Sequence, residues 1–460
     1  MPPSVALFIY LIFFIALLRL DPSNESKISP ALWVPVISLF ILGSRGPSQW
    51  LGGQVGLDAQ ALEEGNPLDR IISIGLILLA VGILMSRSIK WGDFFTRNLA
   101  LTAFISYCLV SVCWSDFPFI AFKRWIRDLG IYLPILVVLS DPRPLDAVRT
   151  VLRRLSYLLV PLSIVLDKYF PLLSKQYDSF TGADYYVGVT TSKNMLGVLC
   201  LISGLFFFWD TLARWHERKQ RRTKRIIVLN VAFFAATIWL LRVAESTTSE
   251  VCLFLGFLVV LAAYSKKFRR NPKLLKVLIP ASFCLYLILD FGLGMNGKMA
   301  GAVGKDPTLT DRTKIWSFLL GMHTNPIIGT GYQSFWLGPR LEWFWDNAGL
   351  GHLNEAHNGY LETYINLGLI GDVFLIGFLV ASYRAICSKL EPISSLAVLG
   401  LALWMALVFY NMSEAAFEGG LLYSVFLLGA IVVPGRAKHR VRSAVSLENA
   451  TATDRLPNLS

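Results

Sequence analysis

Residues 355–383 read EAHNGYLETYINLGLIGDVFLIGFLVASY, a short polar entrance followed by a long apolar run from Tyr360 onward. An α-helix needs about 20 predominantly apolar residues to cross a bilayer, and this run is long enough. Twelve similar stretches lie at 4–19, 30–43, 71–86, 98–113, 128–140, 155–169, 193–213, 226–241, 249–264, 274–294, 395–412 and 419–434. Two of them, 30–43 and 128–140, are short for a full span. We therefore predict an all-α, polytopic integral membrane protein with twelve or thirteen spans.

The composition supports this class of protein. The 460 residues are 54% hydrophobic and only 16% charged, whereas about a quarter of the residues of a soluble domain are charged. The stretch at 4–19 lacks the charged start and the small-residue cleavage site of a secretion signal, so we expect a retained helix.

Basic residues are concentrated in short segments between the apolar stretches. The segments 214–225, 266–276 and 436–442 hold seven, six and four lysines or arginines. Such clusters mark cytoplasmic loops, and alternation from a cytoplasmic tail places all three inside and 295–358 outside. With thirteen spans the N-terminus lies outside. Membrane orientation thus explains the net charge of +12, and we expect no nucleic-acid partner.

One membrane domain, 1–435, is predicted to contain the outer loop 295–358. The polar end, 436–460, is predicted to be a basic, disordered, cytoplasmic tail. No Walker A loop is present in the sequence, which argues against ATP-driven transport by this chain alone. The six cysteines lie in spans or at a cytoplasmic end, so they indicate neither a disulfide framework nor a structural zinc site.

The outer segment 295–358 is too long for a simple turn, so we expect it to carry structure or function. Its stretch TDRTKIWSFLLGMH (310–323) predicts a short amphipathic helix. The apolar stripe of this helix consists of Ile315, Phe318, Leu319 and Met322. Aromatic side chains crowd the same segment, among them Trp316, Tyr332 and Trp336. They suit an interfacial belt at the membrane surface or the stacking of sugar rings.

His357 has the most distinctive neighbours of the outer residues. Asn354 can cap the following helix, which places His357 in the first turn, where the helix dipole disfavours the imidazolium. We therefore expect a neutral imidazole at pH 7 that accepts a proton as a general base. The alternative is an interfacial histidine satisfied by a backbone carbonyl, and position alone favours that alternative.

The helix after His357 carries three further candidates. Gly368 and Gly371 lie one turn apart and predict a surface that another helix can approach closely. Asp372 lies near the middle of the span, and carboxylates inside a membrane are functional candidates. A hydrogen bond to a neighbouring helix is the alternative role for Asp372.

Several basic residues lie on the outer side, where the orientation rule disfavours them. They are Lys123, Arg124, Arg127, Lys193, Arg242, Arg312 and Lys314. An anionic ligand at the outer leaflet would explain the group, because guanidinium groups bind phosphate oxygens in a bidentate way. For each residue alone, snorkelling or an ion pair with Asp116, Asp128 or Asp311 is the simpler explanation.

The pattern around His357 resembles a known family. His357-Asn358, nine residues, and then Gly368-x-x-Gly371 is similar to the signature of O-antigen ligases.

Two further blocks point to the same group of proteins. Asp311-Arg312 followed by NPIIGTGYQSFW (325–336) resembles the outer-loop block of O-antigen ligases, O-antigen polymerases and exopolysaccharide-production polymerases. TTSKNMLG (190–197) is similar to another short block. The motifs extend over roughly 190–375, and the remainder resembles the family only in its apolar spans.

The resemblance implies a multi-span glycosyltransferase, similar to the GT-C architecture, in the bacterial inner membrane with its active site facing the periplasm. Such an enzyme takes a glycan from undecaprenyl diphosphate and needs neither a metal nor a nucleotide sugar, so no cofactor is expected. The implied partners are the lipid-linked glycan, an acceptor and the lipid bilayer. The resemblance also leaves room for a protein that regulates chain length.

By this resemblance His357 is the general base on an acceptor hydroxyl, and Arg312 binds the diphosphate. A second family arginine usually follows a serine, but here Ser246 is followed by Thr247, and Arg242 is the expected substitute. Further candidates for the diphosphate are Lys193 and Arg124. The residues expected to support the site are Asn358, Asp311, Gly368, Gly371 and Asp372. Those expected to stack on sugars are Trp316, Tyr332 and Trp336.

The identity of the acceptor separates the possible reactions. A polymerase extends one lipid-linked repeat unit with another, whereas a ligase joins the glycan to lipid A-core. DPTLTDRTKIW (306–316) resembles the exopolysaccharide-production branch and favours polymerisation. An alternative of another class is a flippase for lipid-linked oligosaccharides, but such a transporter should show basic residues deep inside its spans and an internal repeat.

Overall fold

The computed structural model describes residues 1–21, 28–53, 65–177, 184–293, 312–390 and 395–434. The described α-helices, numbered in chain order, are α1 Pro3–Arg19, α2 Trp33–Leu42, α3 Pro47–Trp50, α4 Pro67–Met85, α5 Trp91–Arg97, α6 Leu99–Val110, α7 Pro118–Leu139, α8 Pro144–Tyr169, α9 Pro171–Ser174, α10 Lys193–Arg214, α11 Arg221–Ala244, α12 Thr247–Tyr264, α13 Lys266–Arg270, α14 Pro272–Leu293, α15 Arg312–Gly321, α16 Gly338–Ala348, α17 Gly359–Ser388, α18 Ser395–Tyr410 and α19 Gly420–Ala430. Short 3-10 helices lie at Pro30–Leu32, Ser111–Trp114 and Trp215–Glu217. One antiparallel hairpin pairs β1, Lys175–Tyr177, with β2, Asp184–Tyr186.

Each of the thirteen predicted apolar stretches coincides with helical structure, which confirms an all-α, polytopic membrane protein. Among the described residues, α4, α10, α11, α12 and α17 are long and apolar enough to cross a membrane. The pair α5 and α6, bent by 91°, would form a sixth span. Since α1, α2, α18 and α19 are shorter apolar helices, the total of twelve or thirteen spans stays a prediction. The predicted tail, 436–460, lies outside the described residues.

The centre of the bundle is α10, which packs against α8, α11, α12, α18 and α19. Its sequence is apolar on every side, so every face can be buried against another helix. Ser192 caps its start, accepting a hydrogen bond from the amide of Met195 at 3.2 Å. α18 is also buried on nearly all sides, and these two helices form the core.

Two helices begin earlier than the hydropathy pattern indicates. α7 starts at Pro118, ahead of the predicted stretch 128–140, and α8 starts at Pro144, ahead of 155–169. The added turns contain arginines, which lower the hydropathy but are good helix formers. α7 has 22 residues but is not among the described helices that are apolar enough to cross a membrane, so the prediction that 128–140 is short for a full span stays a prediction.

The arginines at the start of α8 converge on a buried carboxylate of α10. Asp210 is fully buried and pairs with Arg153 at 2.9 Å, Arg149 at 3.0 Å and Arg214 at 2.9 Å. Asn230 of α11 donates a further hydrogen bond to Asp210 at 3.0 Å. This network joins three helices at the end of the bundle that the charge pattern places inside.

The outer segment folds against the first turns of α17. Ile315 and Leu319 of α15 are buried in a second apolar cluster with Phe344 of α16 and Ile365 of α17. Phe318 and Met322 pack against the same cluster. This cluster contains the predicted apolar stripe of the outer helix.

Replacing Asp210 by alanine is expected to lower the free energy of unfolding by about 3–5 kcal/mol, because the buried Arg153 would lose its partner at 2.9 Å and retain Asp21 at 3.5 Å. The control is Asp146→Ala, since this carboxylate is 43% exposed and lies 3.9 Å from Arg149. A pair of this kind contributes less than about 1 kcal/mol. Denaturant unfolding in detergent micelles measures both, and equal small losses would contradict the prediction.

Candidate functional site

His357 lies immediately before α17 in a left-handed backbone conformation, with φ of 47°. The cap of α17 is Asn358, whose side chain accepts hydrogen bonds from the amides of Tyr360 and Leu361 at 3.0 and 3.1 Å. The prediction that Asn354 caps this helix is therefore wrong, and His357 lies before the first turn rather than in it. The supporting role predicted for Asn358 has a structural basis, because its cap fixes the chain next to the imidazole.

Two carboxylates hold the His357 ring. Nδ1 lies 2.9 Å from Oε1 of Glu355 and 3.3 Å from Oε2 of Glu414. Burial alone would lower the pKa of His357, but the hydrogen bonds and charges of the two carboxylates outweigh it and raise the pKa to about 10. The expectation of a neutral imidazole at pH 7 is therefore wrong for this state of the site, because two nearby carboxylates have a stronger effect than a helix dipole.

Glu414 also binds Arg312, the first residue of α15. Oε1 of Glu414 pairs with Nη2 of Arg312, while Oε2 faces His357. The Glu414 side chain is 6% exposed, and that of Arg312 is 16% exposed. One buried carboxylate thus joins the two residues on which the sequence analysis centred. Asp311, the other residue of that motif, lies outside the described residues.

The loop between α18 and α19, residues 411–419, supplies Glu414 and was missed by the sequence analysis. It reads NMSEAAFEG and carries a second carboxylate, Glu418. A signal for this loop was available, since two carboxylates stand at the outer edge of two strongly apolar stretches. Asn411 fixes the loop to α17, because its carbonyl accepts a hydrogen bond from the Gly359 amide at 2.9 Å.

The start of α12 lies beside this loop. Thr248 and Ser413 share a hydroxyl–hydroxyl hydrogen bond of 3.0 Å, next to Glu414. Two residues farther along α12, Glu250 pairs with Arg242 at 3.4 Å, and the Arg242 side chain is 76% exposed. The start of α12 and the loop with Glu414 therefore place Arg242 at the same end of the bundle as Arg312.

The start of α10 reaches the same region. Ser246, which precedes α12, donates a hydrogen bond of 3.4 Å to the side chain of Asn194. Lys193 precedes Asn194 and lies over the ring of Tyr185, with its ammonium 5.1 Å from the ring centre. Lys193 thus belongs to the same end of the bundle as Arg242.

Arg124 belongs to a cavity built by other residues. It donates a hydrogen bond to the carbonyl of Gln333 and lines a cavity of about 200 Å³ together with Arg127 and Trp336. The lining of this cavity includes neither His357 nor Arg312. The structure therefore does not bring Arg124 together with the other predicted diphosphate ligands.

The polar groups of the three residues predicted to stack on sugars each form a hydrogen bond within the protein. The indole of Trp316 donates to the carbonyl of Ala356 at 2.9 Å, which holds the residue before His357. The Tyr332 hydroxyl donates to Asp128 at 2.7 Å. The Trp336 indole donates to Glu362 at 2.6 Å, and Trp336 also forms part of the cavity wall.

Gly368 breaks α17 rather than packing against another helix. Its backbone has φ of 67° and ψ of −171°. A Cβ atom at this position would lie 2.3 Å from the backbone of Ile327. The backbone that approaches Gly368 closely is therefore that of the NPIIGTG segment, residues 325–331, which is inserted at the break. The prediction that another helix packs at Gly368 is wrong.

This inserted segment forms hydrogen bonds with the backbone amides and carbonyls of α17 that the break leaves without helical partners. The amides of Leu369 and Ile370 donate to the carbonyls of Pro326 and Ile327 at 3.0 and 3.1 Å. In the opposite direction, the amides of Thr330 and Gly331 donate to the carbonyls of Ile365 and Asn366 at 3.2 and 2.8 Å. The Tyr107 hydroxyl donates to the remaining carbonyl, that of Leu367, at 3.0 Å.

Gly371 and Asp372 follow the break. A Cβ atom on Gly371 would lie 2.2 Å from the Cβ of Leu367 across the kink. Gly371 therefore lets the chain bend here without a collision between these side chains. Asp372 lies about four helical turns beyond His357. Its Oδ1 is buried without a hydrogen-bond partner among the described residues. Among the described residues, no hydrogen bond or ion pair joins Asp372 to the His357 group.

Three side chains of this site could serve as ligands of a metal ion. Ligand atoms of Glu355, His357 and Glu414 all lie within 4.8 Å of one another, the one such group among the described residues. One imidazole and two carboxylates can bind a divalent cation. A cation would have to compete for Glu414 with the Arg312 guanidinium.

Comparison with known proteins bears on this geometry. Residues 232–376 match a family model described as O-Antigen ligase. The match contains His357, Arg312 and Gly368 but ends before Glu414. Over 356 residues the chain is 23% identical to the Exopolysaccharide production protein ExoQ of Rhizobium meliloti (strain 1021), an alignment that covers 75% of this chain and 79% of ExoQ. These findings confirm the resemblance, and the matched residues include two of its three motifs, those around Arg312 and His357.

Gly368→Ala is expected to lower the free energy of unfolding by about 2–4 kcal/mol, because alanine would be strained at this φ and would collide with the Ile327 backbone. Gly377→Ala is the matched control, since a Cβ there meets nothing within 4 Å and alanine is the better helix former. Denaturant unfolding of both variants tests this, and a stable Gly368→Ala protein would contradict the break.

His357 is expected to remain protonated to about pH 10 rather than losing its proton near 6.5. The stability that this raised pKa contributes is fully present below pH 6.5 and is lost as the pH rises through about 10. Glu414→Gln removes one of the two carboxylates and should move the His357 pKa down towards 6.5. NMR titration of labelled histidine, with the signal assigned from His357→Gln, measures this change.

The control for that titration is Glu342→Gln, which changes an exposed carboxylate of α16. It should leave the His357 titration unaltered. A wild-type midpoint near 6.5 would show that the two carboxylates do not hold the proton on the ring.

Proposed function

We propose that this chain, in which residues 232–376 match the O-Antigen ligase model and which is 23% identical to an exopolysaccharide production protein, transfers a glycan from undecaprenyl diphosphate to an acceptor hydroxyl group. The similarities support a glycan-transferring function related to polysaccharides. The identity of the donor and of the acceptor is proposed. The observation that carries the proposal is the sharing of Glu414 by His357 and Arg312. A candidate base and a candidate diphosphate ligand thus meet at one carboxylate.

The proposed reaction uses His357 as the base. Its neutral form removes the proton from the acceptor hydroxyl, and that oxygen forms the new bond to the anomeric carbon of the donor sugar. The bond from this carbon to the diphosphate oxygen breaks, and its electron pair leaves on undecaprenyl diphosphate. Glu355 and Glu414 increase the basicity of the imidazole, although they also reduce the neutral fraction at pH 7.

Arg312 stabilises the departing diphosphate. A fixed guanidinium opposite developing negative charge is an effective form of transition-state stabilisation, and its planar fork matches two phosphate oxygens. Before the donor binds, Glu414 occupies Arg312. A diphosphate carries more negative charge than one carboxylate, so donor binding is expected to draw Arg312 away from Glu414. Arg242 and Lys193, at the same end of the bundle, supply further positive charge.

We further propose that this end of the bundle faces the periplasm and that the protein lies in the bacterial inner membrane. The basic segments 214–225 and 266–276 support this orientation, because such clusters stay in the cytoplasm. The loop that carries Glu414 then lies outside, between α18 and α19. A lipid-linked donor can reach such a site along the apolar helices.

Polymerisation of repeat units is the favoured form of the reaction. The relative ExoQ is described as an exopolysaccharide production protein, and lipid A-core is not an acceptor for a secreted polymer. Ligation to lipid A-core is the second candidate, since the family model is described as O-Antigen ligase. Both reactions would use the same base and the same diphosphate ligand.

The test mixes purified protein with undecaprenyl-diphosphate-linked repeat units, with and without lipid A-core, and separates the products on a gel. A ladder without lipid A-core is the expected result, whereas a product only with lipid A-core would indicate a ligase. His357→Ala should abolish the product. Arg312→Lys should reduce the rate about a hundredfold, because a point charge cannot form the bidentate contact.

Two matched variants control this experiment. His323→Ala changes an exposed histidine, and Arg340→Lys changes an arginine that pairs with Asp116 at 2.6 Å. Both should retain the wild-type rate. Absence of any product from the wild-type protein would favour transport without chemistry. Loss of activity on chelation, restored by a divalent cation, would contradict the metal-independent reaction.

A further inference from the structure

A second polar site lies on the same outer face as His357. It is the cavity of about 200 Å³ introduced above, hereafter the Trp336 cavity. Its lining consists of Arg124, Arg127, Gln333, Trp336, Asn354 and Glu418. These residues come from α7, from the segment between α15 and α17 and from the α18–α19 loop, so three separate parts of the chain build it.

The polar groups of the Trp336 cavity include both donors and acceptors. The Arg127 guanidinium bonds Asp128 and the side-chain oxygen of Gln333, each at 2.9 Å. Gln333 donates to Asp128 at 2.7 Å. Burial and neighbouring carboxylates raise the pKa of Glu418 well above its usual value, so this group can also donate as a neutral carboxyl. Sugar hydroxyl groups donate and accept in the same way, whereas diphosphate oxygens only accept.

The cavity is directly connected to the His357 loop. The Trp336 indole donates to Oε1 of Glu362 at 2.6 Å, and Oε2 of Glu362 accepts from the amide of Ala356 at 2.7 Å. Ala356 immediately precedes His357. Asn354, three residues before His357, forms part of the cavity wall. A ligand in the cavity therefore lies against the same short segment that presents the imidazole.

The α18–α19 loop and α17 connect the two sites a second time. The Asn366 side chain donates to Glu362 and to Glu418, each at 3.0 Å. Glu418 faces the Trp336 cavity, while Glu414 in the same loop faces Arg312 and His357. One loop therefore contributes a carboxylate to each site, four residues apart.

We infer that the Trp336 cavity is the acceptor subsite, which binds one sugar ring of the acceptor glycan through its hydroxyl groups, apart from the diphosphate at Arg312. This inference rests on the proposed glycan transfer. The volume suits a single ring, because cavities for larger organic ligands begin at about 300 Å³. Arg124 then binds the acceptor rather than the diphosphate, and the Trp336 ring forms a wall of the subsite.

Binding measurements without turnover test the inference. The first probe is the lipid-free oligosaccharide of one repeat unit, prepared from the bacterium that encodes the chain. Asn354→Trp places a large side chain at the cavity wall and should weaken oligosaccharide binding at least tenfold. Asn354→Ala removes only one polar partner and should weaken it less. Arg312→Lys should leave oligosaccharide binding unchanged.

The second probe is undecaprenyl diphosphate, measured with the same proteins. Arg312→Lys should weaken its binding, and Asn354→Trp should not. Asn347→Trp, an identical substitution at an exposed position of α16, controls for the added indole and should alter neither affinity. Unfolding curves in detergent identify any variant that fails to fold.

The outcomes separate the two hypotheses. Wild-type oligosaccharide affinity in folded Asn354→Trp would overturn the acceptor subsite, even if Arg312→Lys still lost undecaprenyl diphosphate. Unchanged binding of undecaprenyl diphosphate in Arg312→Lys would contradict the proposed donor site, while a loss of oligosaccharide affinity in Asn354→Trp would still support the subsite. Loss of both ligands in Asn354→Trp would also overturn it, because the two sites would not be separate.

Discussion

The end of the bundle that carries His357 depends on how α17 remains hydrogen-bonded after it breaks at Gly368. Backbone groups without partners are costly inside a membrane, so a broken helix is tolerated only where other protein groups satisfy it. Here carbonyls of the 325–331 segment accept hydrogen bonds from two amides of α17, and amides of the segment donate to two carbonyls of α17. The Tyr107 hydroxyl donates to a third carbonyl. These bonds hold the outer segment against the first turns of α17.

That attachment positions the site. Directly after the inserted segment, the amide of Phe335 donates to the Asn366 side chain at 3.0 Å, and the Trp336 indole reaches Glu362. Glu362 in turn holds the amide of Ala356, next to His357. A backbone break deep in the helix thus fixes the residue that precedes it by about three turns. The glycine is needed for the geometry of the break, and in the proposed reaction the imidazole is the base.

The α18–α19 loop completes the arrangement from the other side. It pairs Glu414 with Arg312 and His357, while Glu418 belongs to the Trp336 cavity. A buried carboxylate that touches both an arginine and a histidine keeps opposite charges close together and limits the cost of burying each one. In the proposed reaction the same carboxylate loses its contact with Arg312 when the donor binds, because the incoming diphosphate competes with it for the guanidinium.

The sequence alone determined the membrane class and the apolar stretches and marked His357 and Arg312 as candidates, because hydropathy and short motifs are local properties. It did not determine the protonation of His357, the break at Gly368 or the separate position of Arg124. Each of these depends on residues distant in the chain: Glu414 lies 57 positions beyond His357, and Ile327 precedes Gly368 by a whole helix and a loop. Only tertiary packing brings such residues together, and a charge or a backbone contact then overrides the local preference.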